Sequence, residues 1–171
     1  MYDVFISYIH EDEEAARGLY DFLRAKLKEI TVRTAPNIFL SSERLQLGDN
    51  WPQTIQEALK SATVVLAIFS VESVNRPWVN FEAGGAWFAE GKTLIPLCIG
   101  KLRPEHLPKP YSDICGINLG DVSSLLYLVK RLVDVFKWPG LPPPFFQEKD
   151  EDVKRLMKAI SLWEKANETS N

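Results

Sequence analysis

Residues 63–69 of this 171-residue chain read TVVLAIF, and no charged side chain interrupts the run. A strand that is apolar on both faces is expected in the middle of a parallel sheet, where helices cover it from each side. Four further strand-like segments flank it, at residues 4–8, 38–40, 93–98 and 114–119. Their alternation with helical patterns predicts an α/β domain, a flavodoxin-like doubly wound five-stranded parallel sheet with helices on both faces.

Five segments have the apolar spacing of helices, at residues 11–30, 51–62, 77–90, 123–136 and 150–167. Acidic residues at 11–14 suit the positive end of the first helix dipole. Its expected buried face comprises Ala15, Leu19, Phe22, Leu23, Leu27 and Ile30. The same spacing predicts that the fourth helix turns inward Leu125, Leu126, Val129, Leu132, Val133 and Phe136. We expect strands and helices to alternate strictly, and we expect a Pro-containing loop at residues 101–113.

The composition excludes several classes of protein. With 20 basic and 23 acidic residues, the formal net charge of −3 does not indicate direct nucleic-acid binding. No apolar run approaches the roughly 18 residues that a membrane span requires, and Asp3 stands where a signal peptide would be basic. Cys98 and Cys115 are too few for a disulfide framework. We therefore expect a cytoplasmic protein with reduced, buried thiols and no membrane partner.

Residues 139–144 read PGLPPP and mark a stiff boundary. We predict one domain over residues 1–138, followed at 139–171 by a Pro-rich connector and a C-terminal helix. That helix has an apolar stripe that could dock on the domain or on a partner. The stripe comprises Val153, Leu156, Ile160 and Trp163.

Several enzyme signatures are missing from the sequence. It contains no phosphate-binding GxxxxGK[ST] or GxGxxG motif and no GxSxG elbow. His10 and His106 lack the spacing of metal ligands, so no metal site is predicted. The central strand ends Ile68-Phe69-Ser70, without the aspartate of a phospho-acceptor receiver domain.

Trp78 and Glu82 stand out because residues four apart share one face of a helix, here at the rim where doubly wound sheets bind ligands. An aromatic ring beside a carboxylate can stack a planar ring and hold a sugar hydroxyl, and carboxylates carry glycosidic chemistry. The alternative is an indole packed in the core beside a solvated glutamate. The adjacent Gly84 and Gly85 predict tight packing of this helix on the sheet, with ligand approach as the alternative.

Four segments taken together resemble a Toll/interleukin-1 receptor (TIR) domain. YDVFISY at residues 2–8 resembles the first box of the family, and FLSSERLQLG at 39–48 resembles its second strand and following BB loop. SATVVLAIFS at 61–70 resembles the central strand. Trp78 and Glu82 fall where NAD-cleaving members carry WxxxE. The resemblance covers residues 1–136 and favours the bacterial NAD-cleaving type.

The resemblance implies an NAD⁺ nucleosidase that releases nicotinamide and ADP-ribose, or a cyclic or variant ADP-ribose. Such a protein would serve antiviral defence or immune signalling and be activated by self-assembly through TIR–TIR contacts. NAD⁺ is then the substrate, no cofactor is implied, and a sensor or effector domain is a further partner. Two alternatives stay open: a non-enzymatic TIR–TIR adaptor acting through the loop at residues 41–50, and a nucleotide-binding domain without turnover.

The family pattern carries over residue by residue. Glu82 would be catalytic, orienting the ribose hydroxyls and stabilising positive charge at the anomeric carbon, and Trp78 would stack near the reacting end. This sequence departs from the pattern at Ser41, where many members have an acid, and after the first box, where Ile9 and His10 replace basic residues. The expected substrate-binding residues are Tyr8, Ile9, His10, Ser41, Arg44, Leu47 and Trp78.

Overall fold

The computed structural model describes residues 2–31, 36–41, 53–138 and 147–168, without the side chains of residues 53, 54, 78, 87, 88 and 168. Its five strands are β1 (Val4–Ser7), β2 (Ile38–Ser41), β3 (Val64–Phe69), β4 (Thr93–Cys98) and β5 (Ile117–Asn118). All pair in parallel, in the order β2-β1-β3-β4-β5. This order confirms the predicted flavodoxin-like doubly wound sheet.

Five α-helices surround the sheet. They are α1 (Glu13–Ile30), α2 (Gln53–Ser61), α3 (Pro77–Phe88), α4 (Val122–Phe136) and α5 (Glu151–Glu168). The start predicted for the second helix, at residue 51, lies outside the described residues. A 3-10 turn, His10–Asp12, precedes α1.

The expected strict alternation of strands and helices is wrong between β4 and β5. This connection contains two 3-10 turns, Pro104–His106 and Tyr111–Asp113, and no α-helix. Prolines at 104, 108 and 110 explain the difference, because each lacks the backbone N–H that an α-helix requires.

Side chains alternate along the strands and form two cores, one on each face of the sheet. Val4 and Ile6 of β1 pack with α1, α4 and α5, whereas Phe5 packs with α2 and α3. Every side chain of β3 is buried, as predicted for a central strand. All six residues predicted for the inward face of α1 are also buried.

The predicted inward face of α4 is wrong at Leu126, which is 39% exposed. Buried positions in this helix are 125, 128, 129, 132 and 133, which follow the spacing of one helical face. Relative to Leu125, the buried positions span from about −60° to about +80° around the helix, and Leu126, at about +100°, lies just outside this range.

Helix α5 packs on α1 through all four residues of its predicted apolar stripe, each of which is buried. At the start of α5, Lys26 of α1 is buried and pairs through Nζ with Asp150 Oδ2 at 2.7 Å and Asp152 Oδ2 at 3.1 Å. The stripe therefore docks on the main domain. The predicted boundary after residue 138 stays a prediction, since residues 139–146 lie outside the described part of the chain.

Two smaller expectations are wrong. A Cβ built on Gly84 or Gly85 meets no described atom within 4 Å, so these glycines do not serve tight packing on the sheet. Among the residues of α3 whose side chains are described, the buried ones are Val79, Glu82, Ala83 and Ala86, and the glycines lie to the side of that face. Cys98 is buried, which raises the pKa of its thiol to about 12, but Cys115 is exposed.

Among the described helices none is long and apolar enough to cross a membrane.

Candidate functional site

Helix α3 begins beside the carboxyl ends of the strands and carries Glu82 to the sheet. Pro77 occupies its first turn, where a missing N–H leaves no hydrogen bond unmade. The Asn80 side chain donates to the carbonyl oxygens of Val74 at 3.1 Å and Arg76 at 3.0 Å, which ties the helix start to the preceding loop. One turn further in, the Glu82 side chain is fully buried on the face toward the sheet.

A row of small residues crosses the sheet at the carboxyl ends of β1 and β2 and continues into β3. Ser7 of β1 is in register with Ser41 of β2 on one side and with Ala67 of β3 on the other. Two residues before the serines, Phe5 and Phe39 stack with ring centroids 5.4 Å apart on the α2–α3 face, so Ser7 and Ser41 point to that face too. Small side chains in this row leave space for the carboxyl group.

Ser41 holds one oxygen of that carboxyl group. Its Oγ donates a hydrogen bond to Glu82 Oε1 over 2.7 Å. Ser7 Oγ acts on the same carboxyl group without reaching full hydrogen-bond geometry. Within the described residues, Ser7 Oγ and Glu82 Oε2 are both buried and have no hydrogen-bond partner. Among the described groups, the carboxyl group is thus held at one oxygen and has no hydrogen-bond partner at the other.

Burial dominates the ionisation of Glu82. Desolvation raises its pKa to about 7, and the hydroxyl groups of Ser7 and Ser41 oppose the rise. The carboxyl group therefore changes charge near neutral pH, in a low-dielectric setting where a negative charge exerts a strong field. A strongly perturbed carboxyl at the ligand-binding edge of such a sheet is a candidate reactive group.

The structure brings some predicted site residues together and not others. Ser41 contacts Glu82, and Ile9 is buried in the same core on the α2–α3 face. Tyr8 packs in the core on the opposite face of the sheet. His10 is exposed, and its Nδ1 lies 3.0 Å from Glu13 Oε2. The structure does not bring Tyr8 or His10 to Glu82, and their role in substrate binding stays a prediction.

Three predicted site residues, Trp78, Arg44 and Leu47, are described by the structure only in part or not at all. Trp78 lies in the first turn of α3, four residues before Glu82, and its side chain is outside the described atoms. Arg44 and Leu47 fall outside the described residues altogether. The alternative of a solvated glutamate is wrong, since Glu82 is fully buried.

Sequence reasoning missed Ser7. Its signal was present in retrospect: Ser7 is the one polar residue of the strand VFIS, and it stands two positions after Phe5. What the sequence lacks is the register that sets Ser7 opposite Ser41. Among the described residues no group of three or more potential ligands is placed to hold a metal ion.

A second buried carboxyl group, that of Asp12, was also missed. Trp163 Nε1 donates to Asp12 Oδ1 over 3.1 Å and to the Glu11 carbonyl oxygen over 3.0 Å, and Ser70 Oγ donates to Asp12 Oδ2 over 3.1 Å. Burial raises the pKa of Asp12 to about 7, against hydrogen bonds from Ser73, Ser70 and Trp163 that lower it. This network joins α5 to the turn before α1 and to the loop that leads into α3.

A family model described as TIR domain matches residues 4–125. No curated protein matches the sequence significantly. One matching solved structure is that of the activated Roq1 resistosome directly recognizing the pathogen effector XopQ (TIR domains), with 16% identity over 94% of this chain and 84% of that chain. Its TM-score of 0.44 supports no inference about activity.

Proposed function

The chain belongs to the TIR domain family, and we propose that it is an NAD⁺ nucleosidase with Glu82 as its catalytic residue. One observation supports this most directly: Glu82 presents a buried carboxyl group, held by Ser41, at the carboxyl ends of β1 and β2. Doubly wound sheets bind their ligands at this edge, near the change in strand order. The order β2-β1-β3 puts that change between β1 and β3, next to the Ser7 end of β1.

The reaction needs little from the protein beyond such a carboxylate. Nicotinamide is a cationic pyridinium in NAD⁺; when the bond to ribose C1′ breaks, its nitrogen keeps the electron pair and nicotinamide leaves as a neutral molecule. No general acid is therefore required. Positive charge develops on the ribose ring, and a carboxylate stabilises it. Water then attacks C1′ and loses a proton, which gives ADP-ribose, or an adenine nitrogen attacks, which gives a cyclic product.

The ionised form of Glu82 is the one that can stabilise this cation. Because its pKa is about 7, the ionised fraction falls as the pH drops below neutrality. We therefore expect the rate of nicotinamide release to decline on the acid side of pH 7.

Burial of Glu82 also supports activation by self-assembly. The side chain has no exposed surface, so groups that cover it must move before a nucleotide can reach it. We propose that contacts between TIR domains cause that movement. Activity should then rise with protein concentration. The proposed biological role is antiviral defence or immune signalling, through loss of NAD⁺ or release of a nucleotide signal.

A second candidate function is a non-enzymatic adaptor that only assembles. Two observations favour it: Glu82 is closed to solvent, and its neighbour Phe81 on α3 is 59% exposed, as a contact surface between proteins requires. An adaptor would form oligomers with no release of nicotinamide.

The test uses the full chain at low and high concentration with NAD⁺, and chromatography separates the products. Glu82→Gln is compared with Glu90→Gln, a change at an exposed glutamate just beyond α3. We expect release by wild type and Glu90→Gln, and a loss of about 100-fold or more in Glu82→Gln. Full activity in Glu82→Gln would exclude the assigned role. Oligomers without nicotinamide release at either concentration would favour the adaptor.

A further inference from the structure

The two oxygens of the Glu82 carboxyl group have different surroundings. Oε1 accepts a hydrogen bond from Ser41 Oγ at 2.7 Å, whereas Oε2 is buried with no partner among the described residues. Ser7 Oγ is likewise buried with no partner there. Ser7 and Ser41 are directly opposite each other in adjacent strands and point to the same face of the sheet. The carboxyl group therefore lies between Ser41, which makes a hydrogen bond to it, and Ser7, which is near it without a hydrogen bond of full geometry.

A buried hydroxyl with no partner is unfavourable, and so is a buried carboxylate oxygen with no partner. A serine hydroxyl rotates freely about its Cβ–Oγ bond, so it can become a donor without movement of the backbone. Once Glu82 loses its proton, Oε2 becomes a strong acceptor, and a hydrogen bond from Ser7 would satisfy both atoms at once.

We propose that Ser7 is a positioning residue whose hydroxyl donates to Glu82 Oε2 in the ionised site, so that two serines hold the carboxylate by both oxygens. Held in this way, the carboxylate keeps one orientation toward the ribose ring. Its relevance to turnover rests on the proposed NAD⁺ cleavage, but the hydrogen bond itself does not depend on that activity.

The charge environment leaves this task to the two serines. Strands β1, β2 and β3 carry no titratable side chain, β4 carries only the Cys98 thiol, and α3 has no other titratable group in its described part. Helix α2, which packs in the same core, carries Glu57 and Lys60, and both are exposed; the Tyr111 hydroxyl donates to the Asn80 carbonyl oxygen. Among the described residues, the hydroxyl groups of Ser7 and Ser41 oppose the desolvation of Glu82, and each lowers its pKa.

The first test is independent of activity. Carbon-13 NMR of the side-chain carboxyl groups, in the full chain labelled at glutamate, gives the Glu82 pKa, with Glu82→Gln to assign the signal. We expect Ser7→Ala to raise that pKa by about one unit, because a hydrogen bond to a charged group contributes about 1.5 kcal/mol. Ser7→Thr keeps the hydroxyl and should restore the wild-type value. Ser161→Ala, at an exposed position of α5, is the control. An unchanged Glu82 pKa in Ser7→Ala would overturn the proposal.

The second test uses turnover. In Ser7→Ala the acid limb of the kcat profile should move up by about one pH unit, with kcat recovering at high pH and KM little changed. A merely structural role would lower activity at every pH and leave the limb in place, which would contradict the proposal. If wild type releases no nicotinamide at all, the proposed function fails, and the NMR titration still decides the role of Ser7.

Discussion

Trp163 donates a hydrogen bond from its indole Nε1 to Asp12 Oδ1 over 3.1 Å, across 151 positions of sequence. The same N–H reaches the Glu11 carbonyl oxygen at 3.0 Å. Helix α5 thus completes the surroundings of a buried carboxyl group in the turn before α1. Because Ser70 holds the other oxygen of Asp12, the bond also links α5 to the loop that precedes α3.

Replacing Trp163 with Phe should lower the free energy of unfolding by about 2 kcal/mol at pH 8. The phenyl ring keeps most of the packing but leaves Asp12 without one of its donors, and an unsatisfied buried acceptor is unfavourable by that order. Urea denaturation measures the change. Leu162→Ala, at a neighbouring position that is 46% exposed, is the control and should have a smaller effect. Equal losses in the two variants would show that the hydrogen bond contributes nothing.

Gly100→Ala should destabilise the fold more than Gly91→Ala. Both glycines have positive φ, +64° and +75°, so alanine is strained by about 1 kcal/mol at either position. A Cβ at Gly91 meets no described atom within 4 Å, whereas a Cβ at Gly100 would lie 2.8 Å from Cζ3 of Trp163. The difference between the two midpoints in urea therefore isolates the contact with the indole. Equal urea midpoints in Gly100→Ala and Gly91→Ala would mean that the Trp163 ring moves aside without a loss of stability.

Glu82→Gln should make the protein more stable at neutral pH while it abolishes turnover. The folded-state pKa, about 7, lies above the ordinary value of 4.5, so the bound proton favours the folded state. That contribution is complete below pH 4.5 and is lost as the pH rises to 7. The side-chain amide of Glu82→Gln carries no charge at any of these pH values, so the stability of the variant does not fall in this way.

The stability advantage of Glu82→Gln over wild type should therefore grow by about 3 kcal/mol between pH 4.5 and pH 8. Urea denaturation at pH 4.5 and pH 8 measures the free energy of unfolding of the variant and of wild type. Glu90→Gln, at an exposed site, should show no such growth. A pH-independent difference between Glu82→Gln and wild type would mean that Glu82 is not protonated in the folded protein near neutral pH.

Lys26→Met should loosen the start of α5. The buried ammonium group pairs with Asp150 and Asp152, and its removal leaves both carboxylates without that partner, at a loss of about 2 kcal/mol. Hydrogen exchange over residues 151–168 should become faster. Lys154→Met removes an exposed lysine that pairs with Glu151 at 2.7 Å on the same helix, and such surface pairs contribute about 0–1 kcal/mol. Protection that is equal in the two variants would exclude a structural role for the buried pair.

The elements that the sequence predicted well have strong local patterns. The uniform run at residues 63–69 predicted the central strand, and helical spacing predicted the buried face of α1 and the stripe of α5. Each of these strand and helix signals lies within one continuous segment of sequence. Glu82 was singled out from its spacing to Trp78 together with the family resemblance, and its catalytic role stays a prediction.

The features that sequence could not supply depend on contacts between distant residues. The register of β1 and β2 sets Ser7 against Ser41, yet nothing in either strand specifies it. Asp12 belonged to an acidic run whose obvious role was at a helix start, and only its contact with Trp163 shows that it is buried. Leu126 failed for a different reason, since it lies just beyond the edge of the helix face that the buried positions of α4 define.

The match to the TIR family ends at residue 125, which lies within α4. The apolar core on that side of the sheet nevertheless continues through Val153, Leu156, Ile160 and Trp163. A protein cut where the sequence similarity ends would expose the flank of α1 that α5 covers and would remove a donor from Asp12. A transplant of this domain into another protein should therefore include α5 and not stop at residue 125, where the family match ends.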